Sequence, residues 1–281
     1  MSAGRVLVTG ASSGIGKATA LALDRAGMTV FAAVRTPDDA EAASAGASER
    51  LRPVMLDVTD ASSIAAASEQ VGGLVGEAGL TGLVNNAGIA AVGPLEYLPL
   101  ARLRTVLEVN VIGVVAVTQA FLPLLRRGVG RIVNVSSVGA WISLPYVSPI
   151  NASKAAVEKL NDALRMELEP FGLRVIAVEP GSIRTPGSEG LEAMAERAIA
   201  SLPDEGRDRY GAALDRFVRA MSRQELQGSP PEAVAAAVLT ALTAREPRTR
   251  YSAGARARTL SWLGRLLPNP ALDALRRSLF R

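Results

Sequence analysis

Short apolar runs alternate along the chain with longer stretches in which apolar residues recur at helical spacing. The runs are Arg5–Thr9, Thr29–Val34, Arg52–Asp57, Gly82–Asn85, Arg131–Ser136 and Arg174–Glu179, with a seventh expected at Arg248–Ala253. Strands of this kind separated by helices indicate a parallel sheet of about seven strands built from right-handed βαβ units, a doubly wound α/β fold with helices on both faces. One domain over residues 1–281 accounts for the pattern. Between Pro186 and Gly228 it loosens into a Gly- and Pro-interrupted helical insertion, Ser188–Leu226, after the carboxyl end of a strand. Ligands bind at that edge of such sheets, so residues 186–228 are expected to form a substrate lid.

The last stretch, 255–281, interleaves Arg256, Arg258, Arg265, Arg276, Arg277 and Arg281 with Leu260, Trp262, Leu263, Leu266, Leu267 and Leu275. A basic amphipathic helix can lie on a membrane surface, but a helical tail packed on its own domain or on a second subunit is the more ordinary use of such a pattern. No stretch approaches the ~18 to 20 uninterrupted apolar residues that cross a bilayer. The residues before Val6 leave no room for a charged and then apolar leader. A soluble, cytoplasmic protein without a membrane partner is therefore expected.

Composition narrows the chemistry. The chain has no Cys and no His, which removes thiol nucleophiles, His-based triads, disulfides and most zinc sites; no metal is expected. Proton transfer falls to Lys, Tyr, Asp, Glu or bound water. The net charge of +4 is scattered and forms no stripe, so nucleic acid is not expected as a partner.

The first strand runs into Gly10-Ala11-Ser12-Ser13-Gly14-Ile15-Gly16 and then into the helical Lys17–Ala26. Gly10 permits a tight turn, Gly14 admits a pyrophosphate against the backbone, and Gly16 lets helix and strand pack closely. Free N–H groups, those of Ser13 and Ile15 among them, and the positive end of the helix then face the phosphates. Glycines also sit in plain turns, but this placement at the start of a βαβ series favours a dinucleotide.

Thr9-Gly10-x-x-x-Gly14-x-Gly16 resembles the glycine spacing of the short-chain dehydrogenases/reductases, and further similar segments follow in order. By that resemblance Asp57-Val58 contacts adenine. Asn86-Ala87-Gly88, after Asn85, serves the adenosine ribose and the central sheet. Pro180-Gly181-Ser182-Ile183-Arg184-Thr185 holds the nicotinamide carboxamide, mainly through Pro180, Gly181, Ile183 and Thr185. The likeness covers about Arg5 to Ala253. The second strand ends in Val34-Arg35-Thr36 with no acid; Asp38 and Asp39 read as a helix start. A guanidinium there pairs with a 2′-phosphate, and Ser12 adds a second hydrogen bond, so NADP(H) is expected over NAD(H).

The resemblance also implies a catalytic set: Ser, Tyr, a Lys four residues on, and an Asn on a central helix. In it the Lys tunes the Tyr and binds the nicotinamide ribose, the Ser holds the substrate oxygen and the Asn places a water. Asn110, Ser137 and Lys154 match. Counting back four from Lys154, or forward thirteen from Ser137, gives Ile150, a side chain that moves no proton. Ser137 as a turn cap, Lys154 as a surface residue and Asn110 as a kink filler are the bland alternatives; their joint arrival favours the site. Ile150 is either an engineered substitution or the mark of a diverged, inactive relative. Ser148 and Pro149 look like an N-cap and first helical residue, leaving Tyr146 in the loop before, as a substrate-wall residue or an alternative proton donor.

The stretch Leu164–Thr185 and the tail are most similar to the hydroxysteroid and retinol dehydrogenase branch. The expectation is an NADP(H)-linked oxidoreductase acting on a carbonyl, alcohol or related C=X group of a bulky apolar small molecule. The alternative is a cofactor-binding pseudo-enzyme or non-redox relative. The family commonly pairs its central helices, here Leu100–Leu125 and Asn151–Phe171, which implies a homodimer or homotetramer.

Overall fold

The computed structural model describes residues 4–278; Arg281 of the tail and the first three residues, on which the leader reading partly rests, lie outside them. Seven strands form one parallel sheet: β1 Arg5–Thr9, β2 Thr29–Val34, β3 Leu51–Met55, β4 Gly82–Asn85, β5 Arg131–Val135, β6 Arg174–Pro180 and β7 Arg250–Ala253, in the order β3-β2-β1-β4-β5-β6-β7. Chain order reverses between β1 and β4, which opens a crevice at their carboxyl ends. The helices are α1 Gly14–Arg25, α2 Pro37–Ser44, α3 Ala61–Val75, α4 Leu100–Leu107, α5 Gly113–Gly128, α6 Ser148–Leu168, α7 Pro186–Glu189, α8 Leu191–Ala200, α9 Asp204–Gly206, α10 Ala212–Leu226, α11 Glu232–Thr243, α12 Ala257–Leu266 and α13 Asn269–Ser278.

Alternate strand residues feed two cores. Val6, Val8, Val30 and Ala32 face a cluster shared with Leu23 of α1 and Val234 of α11. Leu7, Phe31 and Leu83 face one shared with Val71 of α3 and Phe121 of α5. Burial on both faces is why the strands read as continuous apolar runs.

Most strand ends fall within a residue of expectation, and three larger differences have a visible cause. β3 ends at Met55 and not Asp57: Leu56 still donates to Val34 O at 2.8 Å, but β2 stops there, and Asp57 turns away to accept from Thr59 N and Oγ1. β7 starts at Arg250, because the Arg248 amide is bound by the Tyr251 hydroxyl. The expected central helix is broken by a π turn at Glu108–Ile112 between α4 and α5. The whole run Leu100–Gly128 is long and apolar enough to cross a bilayer by length and composition, which corrects the expectation that no stretch comes near. In the fold the π turn divides it, and Val117, Phe121, Leu124 and Leu125 pack under the sheet.

The insertion forms α7 to α10 and packs Leu191, Leu214, Phe217 and Val218 on Val92 and Val147. The tail packs on its own domain: Leu260 and Leu272 cover Ile142, with Val138 and Leu144 beside them. Trp262 and Leu266 stay exposed.

Candidate active site

A cleft of about 320 Å³ lies in the crevice at the carboxyl ends of β1, β2 and β4. Gly10, Ser12, Ser13, Gly14, Ile15 and Gly16 line one side; Arg35, Asp57, Val58, Asn86, Ala87, Gly88 and Thr185 line the rest. The glycines are there for space. A Cβ on Gly16 would lie 2.0 Å from the Gly10 carbonyl oxygen, and one on Gly10, whose φ is +64°, 2.9 Å from Ala87 Cα. Asn86 staples the turn: its Nδ2 donates to Thr9 O at 2.9 Å and Gly10 O at 3.1 Å, while Thr9 Oγ1 accepts from the amides of Asn86 and Ala87, each at 3.0 Å. The N-terminus of α1 opens on the cleft with no side-chain cap on its amides, which suits a pyrophosphate.

Arg35 is exposed on the cleft wall. Thr36 caps α2, accepting from Asp39 N at 3.1 Å, so Asp38 and Asp39 do open a helix. Asp39 also lines the cleft. It shares the lining with Arg35, a signal that reading the strand end alone passes over.

Pro180, Gly181 and Ile183 do not line the cleft. Pro180 pairs with Ala253 in the sheet. A Cβ on Gly181 would meet Ala255 O at 2.2 Å, so this glycine serves the crossing of the tail. Ile183 is buried in the core, and its amide donates to Glu225 Oε2 at 3.0 Å, tying α10 to this loop. Of that segment's expected contacts, only Thr185 faces the cleft.

Lys154 stands behind the cleft wall rather than on it. It is buried, its Nζ donates to Val135 O at 2.7 Å, and it lies 3.7 Å from where a Gly88 Cβ would be. Burial pushes the ammonium down to about 8, with Glu158 opposing. Asn110, in the π turn, is fully buried and its side chain is spent: Oδ1 accepts from Ile89 N at 2.8 Å, and Nδ2 donates to Ile89 O and Ser153 Oγ, each at 2.9 Å. It therefore holds the loop after β4 against α6. Ser137 Oγ caps a turn by accepting from Gly139 N at 3.0 Å, which leaves its hydroxyl proton to donate.

Ile150 lies one turn before Lys154 and packs with Tyr146 and Leu144 against the residues of the 186–228 insertion. Tyr146 has φ +62°, a left-handed conformation costly for an aromatic residue and most often kept at functional sites. Its carbonyl accepts from Gly93 N at 2.8 Å, and its ring meets Phe217 of α10 edge-on at 5.4 Å. Val147, not Ser148, is the N-cap of α6; Ser148 sits inside the first turn with its hydroxyl unpartnered.

Sequence reasoning missed a buried ionic cluster below Lys154. Arg250 of β7 binds Glu158 at 3.0 Å, Asp162 at 2.7 Å and Glu179 at 3.5 Å. Arg265 of α12 also binds Glu179, as does the Trp141 indole at 3.2 Å.

A family model described as short chain dehydrogenase matches residues 4–196. Mouse retinol dehydrogenase 5 is 40% identical over 276 residues, 96% of this chain and 86% of its own length. Rat 17-beta-hydroxysteroid dehydrogenase type 6 is 38% identical with the same coverages. A crystal structure of a short chain dehydrogenase from Burkholderia cenocepacia J2315 in complex with NADP superposes with a TM-score of 0.74, at 28% identity, covering 98% of this chain and 97% of that one. The glycine turn, the Asn86 staple and the Lys154–Ser137–Asn110 shell thus sit in a chain that belongs to the short-chain dehydrogenase/reductase family, in its retinol and hydroxysteroid dehydrogenase-like branch.

Proposed function

We propose that the protein is an NADP(H)-dependent oxidoreductase that reduces a carbonyl of a bulky apolar small molecule, or oxidises the matching alcohol, with Lys154 as its proton store. The observation that carries the reading is a buried ammonium directly behind the cleft at Gly88, poised near neutrality as general acid chemistry needs. A reduced nicotinamide cofactor, when bound, supplies the hydride. The turn amides of residues 13–16 hold its phosphates, and Arg35 pairs with a 2′-phosphate. Ser137 donates its hydroxyl to the substrate oxygen. The apolar cluster under α8 and α10 shields the site from water and suits an apolar body; the names of the relatives, retinol and steroid dehydrogenases, support that class. Pairing between copies is supported by Ile112, Leu160 and Met166, which are exposed around the central helices.

The test is NADPH oxidation with all-trans-retinal and 17-ketosteroids. A non-redox, cofactor-binding role is favoured by one observation, Ile150 in the place of the proton-carrying tyrosine. NADPH binding with no turnover on any substrate would establish it.

Two expected outcomes follow from the same geometry. Lys154 is charged below its value of about 8, so reduction under saturating NADPH should be constant at lower pH and fall as pH rises through that value. A flat profile from about pH 6 to 10 would remove Lys154 as the acid. Arg35→Asp should abolish preference for NADPH over NADH by deleting a charge-assisted contact of about 1.5–3 kcal/mol and adding an acid beside Asp39. Equal wild-type dissociation constants for the two cofactors would overturn the assignment.

A further inference from the structure

Helix α6 carries Lys154, Glu158 and Asp162 at four-residue spacing, one above another on a single face. The Lys154 Nζ bonds only the neutral carbonyl of Val135 and makes no salt bridge among the described residues. Around it, the loop after β4 offers Gly88, the π turn offers Asn110, and the end of β5 offers Ser136, all uncharged. Glu158, one turn along, is 1% exposed. Its Oε2 accepts from Arg250 Nε at 3.0 Å; its Oε1 has no partner at full hydrogen-bond geometry, and the nearby buried Ser136 hydroxyl favours its charged form. The other charges facing Glu158 are Glu179 of β6, which Arg250 and Arg265 of α12 share, and Asp162, which Arg250 also holds.

A half-satisfied buried carboxylate is a poor way to stabilise a fold, since well-packed apolar side chains of similar volume serve as well or better. Its position suggests another use. We propose that Glu158, aimed by Arg250, is the counter-charge that keeps Lys154 an ammonium in the site: a positioning residue that acts through the lysine and never touches substrate. The consequence for turnover rests on the oxidoreductase reading above, whereas the charge on Lys154 does not. Burial drives Lys154 toward the neutral amine, and the nearby carboxylate opposes it. Burial and Glu179 in turn push the Glu158 carboxyl up, and the Ser136 hydroxyl and Arg250 pull it back.

The chain has just three lysines, Lys17, Lys154 and Lys159, so ¹³Cε-lysine NMR resolves Lys154 in the full chain without cofactor or turnover. Glu158→Gln should lower the Lys154 midpoint by about one pH unit or more, the effect of losing one close opposite charge, and Glu158→Asp, which retains the charge, should restore most of it. An unmoved midpoint would overturn the proposal. So would a rise toward the ordinary lysine value, because that is what water entering a loosened core produces. If Glu158→Gln does not fold, the wild-type chain decides: in ¹³C-glutamate spectra the Glu158 carboxyl must ionise at a pH below the Lys154 midpoint, and a carboxyl that stays protonated up to that midpoint would overturn the assignment. Inactivity of every variant toward carbonyls would count against the oxidoreductase reading and leave this result intact.

Discussion

Ile150→Tyr should raise the rate of NADPH-dependent ketone reduction by about 10²- to 10⁴-fold, the usual contribution of a positioned general acid, and leave NADPH affinity nearly unchanged. The partners of a phenol are already in place. Lys154 lies one turn further along the same face of α6, and its ammonium is buried toward Gly88. Ser137 has a free hydroxyl proton above the end of β5. Position 150 is also locally fixed, because the Ile150 carbonyl accepts from Ser153 Oγ at 2.8 Å and Ser153 Oγ accepts from Asn110 at 2.9 Å. Room is the opposing effect, since a phenol is longer than a sec-butyl group. Ile150 is only half buried, however, and Met194 and Met221 in the same cluster are unbranched side chains that can adjust. The measurement compares NADPH oxidation by the two chains across several bulky ketones, with cofactor binding followed separately. Negligible rates in both, with binding intact, would favour the non-redox reading. A fast rate in the unaltered chain would show that Lys154, Tyr146 or water already gives the proton, and Lys154→Met and Tyr146→Phe would separate these.

The phosphate half of the site was legible in the chain because it is local. Gly10, Gly14 and Gly16 act within one turn, and the strand before it and helix after it are adjacent in sequence. β1, β2 and β4 could be bounded to the residue for a similar reason, since each is an apolar run closed by polar or glycine residues. What depends on pairing elsewhere was not. The end of β3 is set by where β2 stops, and the π turn at Asn110 continues the apolar pattern of its helix without interruption. The Pro180–Thr185 segment resembles a cofactor loop, and that resemblance gives no sign that Gly181 also packs on the tail or that Ile183 also binds Glu225. The cluster of Trp141, Glu158, Glu179, Arg250 and Arg265 joins five segments far apart in the chain. Arg265 in particular read as the polar face of an amphipathic tail, whereas its guanidinium points inward over the Trp141 ring at 4.4 Å and onto Glu179.

That locality makes the cofactor turn the place where the smallest change should have the largest effect. Gly16→Ala adds one methyl group, and its carbon would sit 2.0 Å from Gly10 O and 2.5 Å from Asn86 Nδ2. Neither neighbour can give way alone. The Gly10 oxygen is backbone and already accepts from Asn86, and Asn86 is held by Thr9. Relief therefore requires α1 to move away from β1, which carries the amides of residues 13–16 off the phosphates. Overpacking of this kind costs about 1–3 kcal/mol of stability. Misplacing the amides should weaken NADPH by at least about 100-fold, equivalent to about 2.7 kcal/mol. Gly73→Ala is the control: it lies inside α3 with nothing within 4 Å of its Cβ position, so it should stabilise by about 0.5–1 kcal/mol and leave binding alone. Fluorescence titration with NADPH and thermal unfolding of both variants test this. Binding within a few-fold of wild type in Gly16→Ala would mean that α1 is not fixed against the turn, and that the cleft at residues 10–16 does not hold the dinucleotide by its amides.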